Sequence, residues 1–157
     1  MNHSNPPDVP SGAMDDAGPM EAVLRQARAS GRLRMKPETL EAIRGRHVAA
    51  GDVLEIARAA GIVAAKRTAE LIPLCQPVCL AAVEVAFDFP DDHTIAVEAI
   101  ARARAVASVG TEALLAVVLA ALTVQDMCKA IDPAILIEQI RLEEESGGQS
   151  GHFVRRG

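Results

Sequence analysis

Apolar residues recur at helical spacing in two stretches of the chain and alternate with polar ones in a third. In the first, Val53, Ile56, Ala57, Ala60, Val63 and Ala64 fall on one side of a helix opened by Gly51-Asp52. Asp52 fits the N-cap, with Glu55 three residues on. This helix carries on through Lys66 and Arg67 and ends by Pro73. Gly61 lies inside it at a cost of about 1 kcal/mol relative to Ala, which close packing against another backbone explains. An earlier, shorter helix starts at Pro37, buries Leu40 and Ile43 and stops at Gly45. The second long stretch, Val109 to Ile131, is apolar almost all round, with Ser108 before it and Asp132-Pro133 after it. Val78 to Phe89 and Thr94 to Ala105 read as strands joined by the turn Pro90-Asp91-Asp92-His93. Ile135 to Glu143 reads as a last strand. Residues 19–31 read as a short helical or irregular piece stopped by Gly31, with a short strand over Arg32 to Met35.

The order of elements predicts an α+β sandwich, helices on one face of an antiparallel sheet. One side of the long helix covers that sheet. The opposite side needs another cover, and a second subunit is the simplest. Residues 1–13 read as a disordered N-terminal arm, the Pro-rich composition running on to about residue 18, and 14–157 as a single domain.

Composition narrows the partners. With 16 Lys and Arg against 21 Asp and Glu, the net charge of -5 argues against nonspecific nucleic-acid binding. It leaves room for a local basic pocket and a small anionic ligand. The N-terminus lacks the basic start and apolar run of a signal peptide, and Ala113 to Val124 is too short to span a bilayer. Cys75, Cys79 and Cys128 read as free thiols packed in a protein of a reducing compartment, which places it in the cytoplasm. No zinc or iron–sulfur spacing is present, and none of His3, His47, His93 and His152 is paired at metal-ligand spacing.

Several polar residues stand out against this apolar background. Asp126 and Lys129 are three apart and share a helix face. Glu112 precedes Asp126 by 14 residues, about 40° short of four turns, so one stripe can hold all three. The plain alternative is a helix-surface ion pair. Lys66 and Arg67 either cap a helix C-terminus or clamp a phosphate. In Ile72-Pro73-Leu74-Cys75-Gln76-Pro77, two prolines stiffen a loop around Gln76, which hydrogen-bonds but cannot serve as an acid or base near neutral pH. Gly147-Gly148-Gln149-Ser150-Gly151 can wrap an anion with backbone N–H groups, though it is not a P-loop.

Five segments taken together resemble the cyclic pyranopterin monophosphate synthase (MoaC) family. They are Gly51-Asp52-Val53 with Ala57-Arg58, Ala59 to Thr68, Leu71 to Pro77, Thr111 to Leu114 with Ala121 to Ala130, and Glu145 to Phe153. The resemblance implies a ferredoxin-like subunit in a hexamer, a trimer of dimers, with active sites at the dimer interface. It implies the molybdenum-cofactor step that converts cyclised GTP into cyclic pyranopterin monophosphate and releases pyrophosphate, with no metal or organic cofactor. Residue by residue, Asp126 and Lys129 match the catalytic pair. Lys66, Glu112 and Arg25 match substrate-binding positions, and Cys75, Gln76 and Gln149 fall in segments that line the pocket.

The departures are concentrated on polar positions. The family's histidine is Gln76 here, the lysine before Gly-Asp-Val is Ala50, and the first glutamate of Val-Glu-Met-Glu is Gly110. The glycine-loop lysine is Gln149, and an N-terminal lysine is replaced by Met20. Three readings follow from a fold kept and a site altered. One is a synthase that works with fewer groups. Another is a non-catalytic pterin- or nucleotide-binding paralogue, alone or in a mixed oligomer with an intact paralogue. The last is an enzyme for a different purine or pterin compound.

Overall fold

The computed structural model describes residues 21–148 and 151–157. The N-terminal arm, Met20 and Gln149 lie outside them. Five strands form one antiparallel sheet, in the order β2-β3-β1-β4-β5: β1 (Val23–Arg34), β2 (Ala82–Asp88), β3 (Thr94–Ala105), β4 (Leu136–Ser146) and β5 (Phe153–Val154). The helices α1 (Pro37–Arg44), α2 (Val53–Lys66), α3 (Thr68–Leu71) and α4 (Gly110–Cys128) complete the chain. The first crossover runs from β1 through α1, α2 and α3 to β2, the second from β3 through α4 to β4. This is the ferredoxin-like arrangement with one added edge strand.

The sheet is built on small residues. Ala27, Ala29, Gly31 and Leu33 of β1 and Val97, Ala99, Ala101 and Ala103 of β3 alternate inward and are buried. Against them α4 sets Ala113, Ala116, Val117, Ala120, Ala121 and Val124. Removing side-chain bulk from both surfaces lets the backbones approach closely. A Cβ on Gly31 would lie 2.8 Å from Val117 Cγ1, and one on Gly61 only 2.7 Å from the Ala116 carbonyl oxygen. Gly61 is therefore the close-packing glycine that its position in a helical pattern implied.

The same small residues explain where the sequence misleads. Residues 23–34 form one long strand, not a helical piece halted by Gly31. Its period of two alternates Ala and Gly with Gln, Arg and Ser, so the usual β-branched signal is missing. Gly31 is a contact point under α4, not a stop. At other boundaries β2 begins at Ala82, β4 extends to Ser146, and α4 ends at Cys128. Helix α4 has 19 residues and a mean hydropathy of 1.5 in its most apolar window, enough in length and composition to cross a membrane. The buried stripe against the sheet and α2 makes it a core helix.

Two side chains fix the junctions. Asp52 accepts from the Glu55 backbone N–H at 3.3 Å, the expected cap of α2. Helix α1 has no cap of its own, since Lys36 offers none. Asp132, from the turn after α4, supplies one across the fold. Its Oδ2 accepts from the Lys36 N–H and the Thr39 hydroxyl, each at 3.0 Å, and its Oδ1 from the Ala134 N–H at 3.2 Å. Burial alone would raise this carboxyl's pKa, but the three hydrogen bonds and the Lys36 charge outweigh it and hold the pKa below the ordinary value.

Asp132→Ala should cost roughly 1–3 kcal/mol in denaturant unfolding, because it removes a cap and leaves buried donors unpaired. The folded pKa is depressed, so the charged form's contribution is present above the unfolded value of about 3.9 and is lost as pH falls through the folded one. The wild-type minus variant difference should therefore shrink only below about pH 4. Gly61→Ala should lower stability by about 1–3 kcal/mol, despite the better helix propensity of Ala, because the new methyl meets the Ala116 carbonyl. A rise in Tm would contradict that contact.

Candidate active site

Helix α4 carries polar groups at both ends, and the fold gives each end a different setting. At the N-terminal end Glu112 is 3 % exposed. Its Oε1 lies 3.8 Å from the Cys75 sulfur, and its Oε2 has no hydrogen-bond partner among the described residues. Burial pushes this carboxyl above the usual carboxylate range. Hydrogen bonds from its own backbone N–H and the Cys75 thiol offset part of that, and the nearby charge of Glu145 adds to it. The Cys75 thiol is pushed up as well, first by burial and then by the charge and hydrogen bond of Glu112. Both effects favour the neutral thiol over the thiolate.

Glu112 forms part of the wall of a cleft of about 190 Å³. The C-terminal turn of α2 and the start of α3 form the rest, including Lys66, Arg67 and Thr68, with Pro77 and Val78 opposite. Thr68 is buried and its hydroxyl donates to the Ala65 carbonyl at 2.9 Å, which fixes the turn that carries the two cations. Pro77 ends the loop that carries Leu74 and Gln76. Gln76 is exposed, and Leu74 is fully exposed with a left-handed backbone (φ 64°). A buried carboxyl with an unpaired oxygen, in the wall of a cleft that also carries Lys66, Arg67 and Glu70, can receive a ring N–H group beside a phosphate.

Arg25 occupies the same end of the sheet, at the start of β1. Its Nε donates to the Ala105 carbonyl at 3.0 Å and its Nη1 reaches the Gly147 carbonyl at 3.5 Å. Gly147 and Gly148 have positive φ (106° and 74°), and a Cβ on Gly148 would lie 2.6 Å from the guanidinium nitrogens. Arg25 thus anchors the entry to the glycine loop, and only glycine permits that approach.

At the other end of α4 the Lys129 ammonium donates to Asp126 Oδ1 at 2.9 Å, with both side chains about two-thirds exposed. The hydrogen bond and charge of Asp126 raise the Lys129 pKa. These two residues continue an outward stripe of Leu115, Val118 and Leu122. Glu112 does not share it. It turns inward with Ala113 and Ala116, so the single stripe expected from spacing resolves into two faces. Fourteen residues of helix separate Glu112 from Asp126 by about 21 Å. One chain therefore presents two separate polar clusters, one acid-and-cation cleft and one exposed ion pair.

The sequence places Ser108 before α4 as a possible cap but gives no sign of Glu145 as its partner. The Ser108 Oγ accepts from the Gly110 N–H at 3.0 Å, and its hydroxyl donates to Glu145. Glu145 lies in the run Glu143 to Glu145, which reads as solvated charge, and no local signal joins it to residue 108. Asp91, Asp92 and His93 also bring three ligand-type atoms within 4.8 Å of one another on the exposed β2–β3 turn. They are occupied with the turn itself: Asp91 accepts from the His93 N–H at 3.0 Å and the His93 ring contacts Asp92 at 2.8 Å.

A ferredoxin-like fold with acid and cation groups at the two ends of its central helix defines the class of protein. The MoaC family model matches residues 14–148. A cyclic pyranopterin monophosphate synthase of Desulfitobacterium hafniense is 45% identical over 142 residues, 90% of this chain and 87% of that protein. Its counterpart in Pelotomaculum thermopropionicum is 49% identical over 146 residues, 92% and 85% of the two chains. Cyclic pyranopterin monophosphate synthase 3 of Mycobacterium tuberculosis is 49% identical over 142 residues, 90% and 80% of the two. This chain belongs to the MoaC family.

Glu112→Gln tests the electrostatics of the cleft. The folded pKa of Glu112 is raised, so the wild type is unpenalised below the unfolded value of about 4.3 and loses stability as pH rises through the folded value. The variant should gain Tm relative to the wild type at pH 8 and show little difference near pH 4. Equal differences at both pH values would mean that Glu112 is not desolvated.

Proposed function

We propose that this protein acts in molybdenum cofactor biosynthesis as a cyclic pyranopterin monophosphate synthase. It takes the cyclised GTP, rearranges its ring system and forms the cyclic phosphate with loss of pyrophosphate. The observation that carries this reading is the pair of intact half-sites, Lys66–Glu112 at one end of α4 and Asp126–Lys129 at the other, in a chain of the family. Lys66 and Arg67 hold the triphosphate and offset the charge that builds on departing pyrophosphate. Glu112, with its raised proton affinity, meets the purine or pterin ring. Lys129 and Asp126 form a hydrogen-bonded donor–acceptor pair suited to proton transfer in the ring steps. With Ala50, Gln76 and Gln149 at three pocket positions, those transfers and the phosphate charge fall on fewer groups, so turnover is slower and phosphate binding weaker than with a fuller set.

The two half-sites of one chain lie too far apart to touch one ligand, and a second subunit joins them. The surface favours such an interface. Leu71, Ile72 and Leu74 of the loop, Ile56 and Val63 of α2, and Leu122 of α4 are large apolar side chains left exposed. Leu122 lies directly before Asp126 on the outward stripe. We read the assembly as a homo-oligomer of dimers closing into a hexamer, with Asp126–Lys129 of one copy facing the Lys66–Glu112 cleft of the next. The described cysteines are free thiols, in keeping with action in the cytoplasm.

Purified protein incubated with the cyclised GTP should form cyclic pyranopterin monophosphate, and Asp126→Ala should abolish it. Absence of product from folded protein, beside a working control synthase, would sink the catalytic reading. The shared site has its own test. Asp126→Ala and Glu112→Ala should each be inactive alone, and co-refolding the two should restore activity through mixed interfaces that hold one intact site. If the mixture stays inactive, each site belongs to a single chain.

A further inference from the structure

One carboxylate at the N-terminus of α4 has no role in the account so far. Glu145 is held on β4, where its backbone is paired on both sides, to Ala27 of β1 and to Phe153 of β5. Its side chain reaches across to α4. The Ser108 hydroxyl donates to Oε1 and itself accepts from the Gly110 N–H, so the carboxylate is tied to the first turn of the helix. Oε2 takes no hydrogen bond among the described residues and faces Gly110. A Cβ at that glycine would lie 3.4 Å from Oε2, 3.4 Å from Ser108 Oγ and 3.5 Å from Leu142 Cδ1. These are ordinary contact distances, and Gly110 does not have a positive φ, so a side chain at 110 fits the space that Glu145 now fills.

We propose that Glu145 supplies the second carboxylate of the Glu112 end of the site, occupying from β4 the volume that an acidic side chain at position 110 would occupy from α4. This rests on the reading of that end as the ligand site. Two carboxylates then stand at one end of α4 in different settings. Glu112 is buried and inclined to keep a proton, and its proton affinity is raised further by the charge of Glu145. Glu145 is half-buried, with Oε1 engaged by the Ser108 hydroxyl and Oε2 left free to accept. Such a pair offers a ligand one hydrogen-bond donor and one acceptor, which matches the adjacent carbonyl and N–H groups of a purine or pterin ring. A helix dipole's counter-charge is the plain alternative, and it predicts loss of stability without loss of function.

The deciding experiment compares wild type, Glu145→Gln, Glu145→Ala, and Glu145→Ala combined with Gly110→Glu. Each is measured for kcat and KM on the cyclised GTP, for calorimetric binding of the same compound, and for Tm. The expected result is a fall of about 100-fold in kcat/KM in both single variants, with folding retained. Moving the carboxylate to position 110 should recover at least about tenfold of it. If the wild type binds the cyclised GTP without turning it over, the same loss and recovery in affinity supports the assignment. Unchanged kinetics and affinity in Glu145→Ala overturn it, as does a loss explained by unfolding that Gly110→Glu does not repair. A wild type that neither binds nor converts the compound overturns this inference together with the functional reading, whereas a working wild type with indifferent Glu145 variants overturns this inference alone.

Discussion

The close approach of α4 to the sheet and to α2 is the constraint on which the rest of the molecule depends. It exists because alanine and glycine occupy the contact surfaces: Ala99, Ala101 and Gly31 below α4, and Gly61 against the Ala116 carbonyl beside it. Small side chains contribute little apolar area each, so the gain comes from dense backbone packing rather than from large buried groups. The consequence is a helix whose position and rotation are fixed along its full length. Its two ends, with Glu112 and Asp126–Lys129, are set at a spacing the chain cannot adjust.

That rigidity divides the chemistry. At the N-terminal end Glu112 is enclosed by Cys75 and the α2–α3 turn, and desolvation favours its neutral form. At the C-terminal end Asp126 and Lys129 stand in solvent, and the hydrogen bond and charge of Asp126 favour the charged form of Lys129. One helix thereby holds a proton donor and an ion pair in opposite electrostatic settings. Asp132 locks the second of these ends by capping α1 across the fold, so the turn after Lys129 cannot drift from the β1–α1 junction.

The polar positions that differ from the family pattern take on a clearer physical sense in this frame. Gly110 is not an empty place, because Glu145 reaches it from another strand. Gln76 lies exposed on a loop whose neighbour Leu74 is held in a left-handed conformation and points away from its own core. Leu74 and Gln76 thus add to the exposed face of the loop that precedes Pro77.

Much of this was legible in the sequence. Pro37 and Gly45 bound α1, Asp52 caps α2, and the Pro90–His93 turn joins the hairpin, because each of these is a local interaction written in adjacent residues. The five segments, read together, identified the family. Strand β1 was hidden, since Ala and Gly carry no hydrophobic period strong enough to betray a strand. The sequence also placed Glu112 on a stripe with Asp126, because spacing fixes an angle about an axis but not which side of the helix the sheet will cover. The partnership of Glu145 with Ser108 and Gly110, and that of Asp132 with Lys36 and Thr39, were decided only by the tertiary structure. Those contacts join residues 35 or more positions apart, and nothing short of the folded sheet brings them within reach.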